Sequence, residues 1–275
     1  GVFIIHAPSG TMDHYEGHPA RALARNAPRA SNLPEGINRG ARPLQSEDQD
    51  EWPIDVDHGC DGDGEPRKAW TKQHEAIEIA EGDAVTDSAA EMWNLMEARG
   101  IENVLFMGVH TNMCVLNRPF GLRNLVRYGK NVALIRDLTD TMYNLSSPPH
   151  VSHFRGTDLV VDYIEKHVCP TVLSSDIIDQ PPFRFPGDDR ATVLLVIAER
   201  EYHTWETLPA WASRVLANRH DMRITQVYTW PKKNRHTIPG LAENLSRADL
   251  VVLSVRRRAL PAKYLQALRS YLESE

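Results

Sequence analysis

Residues 103–109 read Asn-Val-Leu-Phe-Met-Gly-Val, an apolar run closed by a short polar stretch, His110-Thr111-Asn112-Met113. Cys114 then opens a helical pattern through Val115 and Leu116. An apolar run bounded by turn residues predicts a buried strand, and strands buried on both faces belong to parallel sheets. A cysteine delivered by such a strand to the start of a helix meets unpaired N–H groups and the positive end of the helix dipole, which favour a thiolate. Two readings of Cys114 follow. It is a nucleophile whose oxyanion is held by the N–H groups of the turn, or it is a buried cysteine packing as a small hydrophobe.

The surrounding chain alternates strands and helices. Val2–His6 reads as a strand. A long stretch to about Lys68, rich in Pro, Gly, Asn, Asp and Arg, reads as loop, and loops of that length serve as lids or binding loops. Ala76–Ile79 reads as a brief strand and Ser88–Arg99 as a helix ended by Gly100. Cys114–Tyr128 reads as a helix with Pro119 in its early turns, Asn131–Arg136 as a buried strand, Ser152–Lys166 as a helix and Thr171–Leu173 as a last short strand. Residues 175–190 carry Pro181-Pro182 and Pro186-Gly187 and read as a linker. The alternation restarts beyond it, with strands at Thr192–Ala198, Arg223–Tyr228 and Leu250–Ser254. Helices fall at Thr207–Arg219, Ile238–Ser246 and from Pro261 onward. The expected organisation is a first α/β domain over 1–174, a linker over 175–190 and a partial second α/β, flavodoxin-like domain over 191–275, with mainly parallel sheets.

Composition bounds the partners. A formal net charge of −6 argues against a nucleic-acid binder, and no apolar run is long enough to span a bilayer. Three cysteines, Cys60, Cys114 and Cys169, form neither a disulfide framework nor a CxxC zinc pattern. Both ends read as cut, so localisation stays unassigned, cytoplasmic by default. His6, Asp13, His14 and His18 are residue types that bind metals, but the same pattern describes a polar loop with Asp13 as a cap. Asp55, Asp57, Asp61 and Asp63 lack EF-hand spacing. Asp137 and Asp140 fall at a strand end, suited to holding loop amides. Phe120 reads as core, and Tyr143 and Asn144 as residues bordering the pocket.

Gly108-Val109-His110-Thr111-Asn112-Met113-Cys114-Val115 resembles the G-x-x-T-x-x-C-V signature of the isochorismatase-like cysteine hydrolases, the superfamily of nicotinamidase and N-carbamoylsarcosine amidase. Glu97–Ile101 and the Gly129–Val132 and Arg136-Asp137 stretches fall where that family places a helix end and the next strand. The resemblance covers about residues 1–173. It implies a three-layer α/β/α sandwich whose first strand and helix would precede Gly1. It also implies a cysteine that attacks an amide or related carbon, an Asp and a Lys completing a triad, and a cis Val109–His110 bond. The backbone N–H groups of His110 and Cys114 would be the oxyanion donors. The implied ligand is a small-molecule substrate, and homo-oligomer assembly is a possibility, as related hydrolases often assemble; no cofactor is expected.

The family's Asp would also precede Gly1, and residues 79–87, where its Lys falls, contain none. Lys72 comes several residues early, Lys68 earlier still, and Glu81 or Asp83 in place of a cation would raise a thiol pKa. His6, Asn112, Lys72, Glu81 and Asp83 are the candidate pocket residues beside Cys114, with His58 and Cys60 as further lining. Residues 190–275, through Val193–Glu199 with His203 and Ala248–Ser254 with Leu260-Pro261, resemble the start of a ThuA-like, glutamine-amidotransferase-like domain associated with sugar utilisation. Arg256-Arg257-Arg258 in it reads as an anion site or a solvated turn. The expected function is cysteine-dependent hydrolysis of a small amide or related C–N substrate. The alternatives are a catalytically degenerate hydrolase fold acting as a binding or assembly module, or sugar-related action by the second domain.

Overall fold

A computed structural model describes residues 1–39, 51–55, 70–199, 202–229 and 236–274. The chain forms two compact units, Gly1–Arg184 and Phe185–Glu275, and the division falls within the Pro-rich segment 175–190. The architecture is a layered α/β sandwich in which every strand pairing among the described residues is parallel. No helix among the described residues is long and apolar enough to cross a membrane.

In the first unit, β1 (Ile5–His6) pairs with β2 (Ala84–Val85) in a two-stranded sheet. A separate sheet holds β3 (Asn103–Val109), β4 (Asn131–Asp140) and β5 (Thr171–Val172) in the order β3-β4-β5. The strand expected at Ala76–Ile79 is absent. Ile77 there is exposed, whereas Ala84 and Val85 are fully buried and in register with Ile5 and His6. Helix α1 (Pro19–Arg25) carries Pro at its start, where the missing N–H costs nothing, and presents Ala20 and Ala24 to the buried faces of β2.

Helix α2 (Ala89–Ala98) begins where the Ser88 hydroxyl accepts from the Glu91 N–H and ends at Gly100, with φ of +62°. Met92, Trp93 and Met96 put its apolar stripe into the main core. The long helix expected over 114–128 is broken. A single wide turn spans Thr111–Val115, and α3 (Leu122–Arg127) starts only after Pro119 and Gly121. Pro119 supplies no N–H for a continuing helix. A Cβ on Gly121 would lie 2.9 Å from the Val115 carbonyl oxygen, so the chain doubles back there only with glycine. Helix α4 (His153–His167) is capped by Ser152, whose hydroxyl accepts from Arg155 N–H, and carries Lys166 and His167 in its last turn, where cations suit the dipole. Val160, Val161 and Ile164 bury its inner face, each contributing roughly 1.5–3 kcal/mol by burial.

Lys130, with its side chain 3% exposed, closes the N-terminal end of this core. Its ammonium donates to Glu97 Oε1 at 2.7 Å, the Ile101 carbonyl at 2.9 Å and Glu102 Oε1 at 3.1 Å, and lies 4.8 Å from the centre of the Trp93 ring. Strand β3 departs from its expected burial. Val104 and Phe106 pack on the main core, but Leu105, Met107 and Val109 on the other face are 50, 55 and 58% exposed.

In the second unit, β6 (Thr192–Ala198) runs between β7 (Arg223–Tyr228) and β8 (Leu250–Val255). All seven β6 residues are buried, and alternation sorts them into two cores. Leu194, Val196 and Ala198 meet α6 (Leu241–Leu245) and Tyr264 of α7 (Ala262–Glu273). Val193, Leu195 and Ile197 meet Ala212, which ends α5 (Thr204–Ala212), and Leu216 of the turns that carry that helix on to His220. The result is helix, sheet and helix in three layers.

Candidate active site

Cys114 sits one turn beyond the C-terminal end of β3, partly exposed, in a segment held from several sides. Phe106 pairs with Leu134, yet Gly108 pairs with Thr139, so β4 bulges outward between them. Gly108 takes φ of +119°, a conformation open to glycine, and the Val109–His110 peptide bond is cis. The His110 carbonyl accepts from the N–H groups of Met113 and Val115 at 3.1 and 3.2 Å, which closes the wide turn. The Thr139 hydroxyl donates to the Gly108 carbonyl at 2.8 Å and meets the Thr111 hydroxyl at 2.6 Å.

Asn112 is fully buried and is not a pocket-facing amide. Its Nδ2 donates to the Met142 carbonyl at 3.0 Å and its Oδ1 accepts the Met142 N–H at 3.1 Å. Both hydrogen-bonding ends of the side chain are therefore spent on joining the thiol turn to the segment after β4.

Of the other sequence candidates, the fold brings His6 and Asp83 together. His6 Nε2 lies 3.0 Å from Asp83 Oδ2 and its Nδ1 lies 3.1 Å from Gln73 Oε1, while Asp83 also accepts the Ala80 N–H. Lys72 is exposed, 3.9 Å from Glu75, and Glu81 is exposed. Asp13 and His14 are exposed in a short turn, Met12–Tyr15, and His18 caps α1 by accepting the Ala20 N–H, the capping role expected of Asp13. No three His, Cys, Asp or Glu side chains converge as metal ligands among the described residues. His58, Cys60, Lys68, Asp57, Asp61 and Asp63 lie outside the described residues. Phe120 is buried in the core, and Tyr143 is buried with its hydroxyl donating to the Ser147 carbonyl.

The two β4 carboxylates have different partners. Asp137, in the bulge, accepts from Ser174 N–H at 2.8 Å and Phe183 N–H at 2.7 Å and so holds loop amides. Asp140 instead accepts from His153 Nε2 at 2.9 Å and from the Thr157 hydroxyl at 3.1 Å. His153 Nδ1 lies 2.8 Å from the Tyr143 carbonyl. A carbonyl and a carboxylate both only accept, so this pair of contacts is fully met when both ring nitrogens of His153 carry hydrogen. The Asp140 hydrogen bond raises the His153 pKa above its ordinary value against the opposing effect of burial. Burial pushes the Asp140 carboxyl up, but the His153 and Thr157 bonds outweigh it and hold the group below the usual range. His110, half-buried beside both, is lowered by burial, with Asp140 opposing and the His153 charge adding to the effect.

His153 carries no motif in the sequence. The available signal is Ser152 as a helix cap three residues after Pro149, which places residue 153 at a helix start. Cys169 contrasts with Cys114. It is 6% exposed, and burial pushes its thiol up to about 11. A hollow lined by Asn103, Leu105, Asn131, Ala133, Cys169 and Pro170 opens at the opposite, N-terminal ends of the strands, away from the thiol turn. Comparisons with protein-family models, curated proteins and solved structures find no match.

Proposed function

We propose that the first unit is a cysteine hydrolase of the isochorismatase-like kind, acting on a small amide or related C–N substrate through Cys114. The observation that supports this most directly is where the thiol stands. It is partly exposed, at the carboxyl edge of a parallel sheet, on a turn fixed by Gly108, Thr139 and Asn112. Ligands of such sheets bind outside the carboxyl ends of the strands, and a nucleophile needs a firmly held backbone around it. In this reading the Cys114 thiolate attacks the substrate carbonyl carbon, forming a C–S bond. The N–H groups of His110 and Cys114 hold the oxyanion. The C–N bond breaks as the leaving amine takes a proton, and water then cleaves the thioester to release the acid and restore the thiol.

Turnover measured on a panel of small amides tests it. Cys114→Ala is expected to lower turnover by roughly 10³-fold or more, with far-ultraviolet circular dichroism unchanged. Turnover equal to wild type in the folded variant removes the reading. The second reading, a hydrolase fold serving as a binding module, draws on the exposed Leu105, Met107 and Val109 face. It is favoured if no amide is turned over and Leu105→Glu abolishes self-association seen by sedimentation.

A further inference from the structure

We propose that His153 is a positioning residue for the Cys114 turn and that it does this only as an imidazolium. The inference rests on the reading of Cys114 as a nucleophile and adds to it a second site of control.

The argument is one of donors and acceptors. Asp140 and the Tyr143 carbonyl stand at 2.9 and 2.8 Å from the two ring nitrogens of His153, and neither can donate. A neutral imidazole has one N–H, so loss of the proton leaves one of these contacts as two lone pairs facing each other, and that contact opens. The two contacts flank Met142, one two residues before it and one directly after it. Met142 is the residue whose N–H and carbonyl both engage the Asn112 side chain. A third tie holds the same segment to α4, where the Thr157 hydroxyl accepts the Thr141 N–H and donates to Asp140. His153 is therefore linked to the thiol turn through Asp140–Tyr143 and then Asn112, by contacts of 3.2 Å or less.

Among the described residues, the titratable groups that face His153 are Asp140 on β4 and His110 at the start of the turn. Asp140 favours the imidazolium, while burial lowers His110, with Asp140 opposing and the His153 charge adding to the lowering. The cation side chain is 40% exposed, so solvent protons reach it.

The test is the pH profile of Cys114 alkylation by iodoacetamide, read by mass spectrometry from pH 5 to 9.5, in wild type and in His153→Gln. Wild type is expected to depart from a single-ionisation curve by about two- to tenfold, at the pH where His153 loses its proton. The variant, whose neutral amide donates from a single nitrogen and has no proton to lose over this range, is expected to follow a single ionisation. A parallel NMR titration of wild type needs no variant to fold. The Asn112 side-chain amide should shift with the midpoint of the His153 ring. Selective Cys114 labelling with superimposable profiles and a motionless Asn112 amide overturns the inference and leaves the nucleophile reading standing. Labelling of Cys114 no faster than Cys169 at every pH removes both.

Discussion

Replacing Gly156 with alanine should destabilise the protein, against the ordinary helix trend. Gly156 lies inside α4, where alanine is normally favoured by about 1 kcal/mol. Here an added Cβ would stand 2.3, 2.8 and 2.9 Å from Cδ1, Cε1 and Cγ of the Tyr143 ring. Carbon atoms in contact prefer about 3.5–4.0 Å, so the ring or the helix must move by roughly 1 Å. Tyr143 has little freedom to do so. Its ring is buried, its hydroxyl donates to the Ser147 carbonyl at 2.8 Å, and that hydroxyl also accepts the Val151 N–H at 3.3 Å. Overpacking of this kind costs about 1–3 kcal/mol, and losing one hydroxyl bond adds about 1 kcal/mol. After the propensity gain is subtracted, the net loss is about 1–3 kcal/mol. Urea denaturation followed by circular dichroism measures it, fitted with two transitions because the chain holds two compact units. In a Tyr143→Ala background the sign should reverse, and Gly156→Ala should then stabilise by about 1 kcal/mol. A Gly156→Ala protein as stable as wild type with Tyr143 in place would refute the reasoning.

Three further outcomes are expected. The His153–Asp140 pair should carry a pH signature in stability. His153 is raised when folded, so its contribution is complete below about pH 6.5 and fades as pH rises through the folded value; Asp140 is lowered, so its contribution is present above its unfolded value of about 3.9 and fades in stronger acid. Asp140→Asn should therefore cost more stability at pH 5.5 than at pH 8.5, and equal costs would contradict the pairing. Cys169, with its thiol pushed up to about 11, is roughly one part in 1,000 ionised at pH 8, against about a quarter for a thiol at the ordinary 8.5. It should resist iodoacetamide in the folded protein and react readily in urea, as peptide mass mapping would record. Lys130→Ala should cost roughly 1–3 kcal/mol, less than breaking a fully buried pair, because Glu97 and Glu102 keep access to water. Lys130→Met, which keeps a stem against Trp93, should recover part of that loss in the same denaturation assay.

Part of the fold was legible because β3 and β6 are long and apolar. Strands β3 and β6 announce themselves as runs without charge, and Gly100 and Ser152 mark helix ends by known chemistry. Strand β2 was not legible, since two residues carry no periodicity, and the more suggestive Ala76–Ile79 has no partner strand. The break before α3 needed the close approach of Gly121 to Val115, which is a tertiary fact. Apolar composition placed β3 in a sheet but could not show that Leu105, Met107 and Val109 would face solvent. At the candidate site, Cys114 and its turn could be found from one local stretch. Asn112, two residues before the thiol, reads as a pocket residue, yet its partner is a main-chain group thirty residues on. His153 meets Asp140 only because β4 extends past its bulge, and nothing in the residues 131–140 predicts that extension.

The shortness of the β1–β2 ladder bears on how the protein moves. Two paired residues on each strand hold His6 and Asp83 in place, whereas six register pairs join β3 to β4 beneath the thiol turn. Segments open locally at free energies set by their own contacts, far below that of global unfolding when those contacts are few. Amide protons of Ala84 and Thr86, which donate to the Ile4 and His6 carbonyls, should therefore exchange with solvent through openings that leave Phe106 and Leu134 protected. The first unit then behaves as two cooperative blocks, a quick one around His6 and a slow one around Cys114, and chemistry needing both would be gated by the quick one.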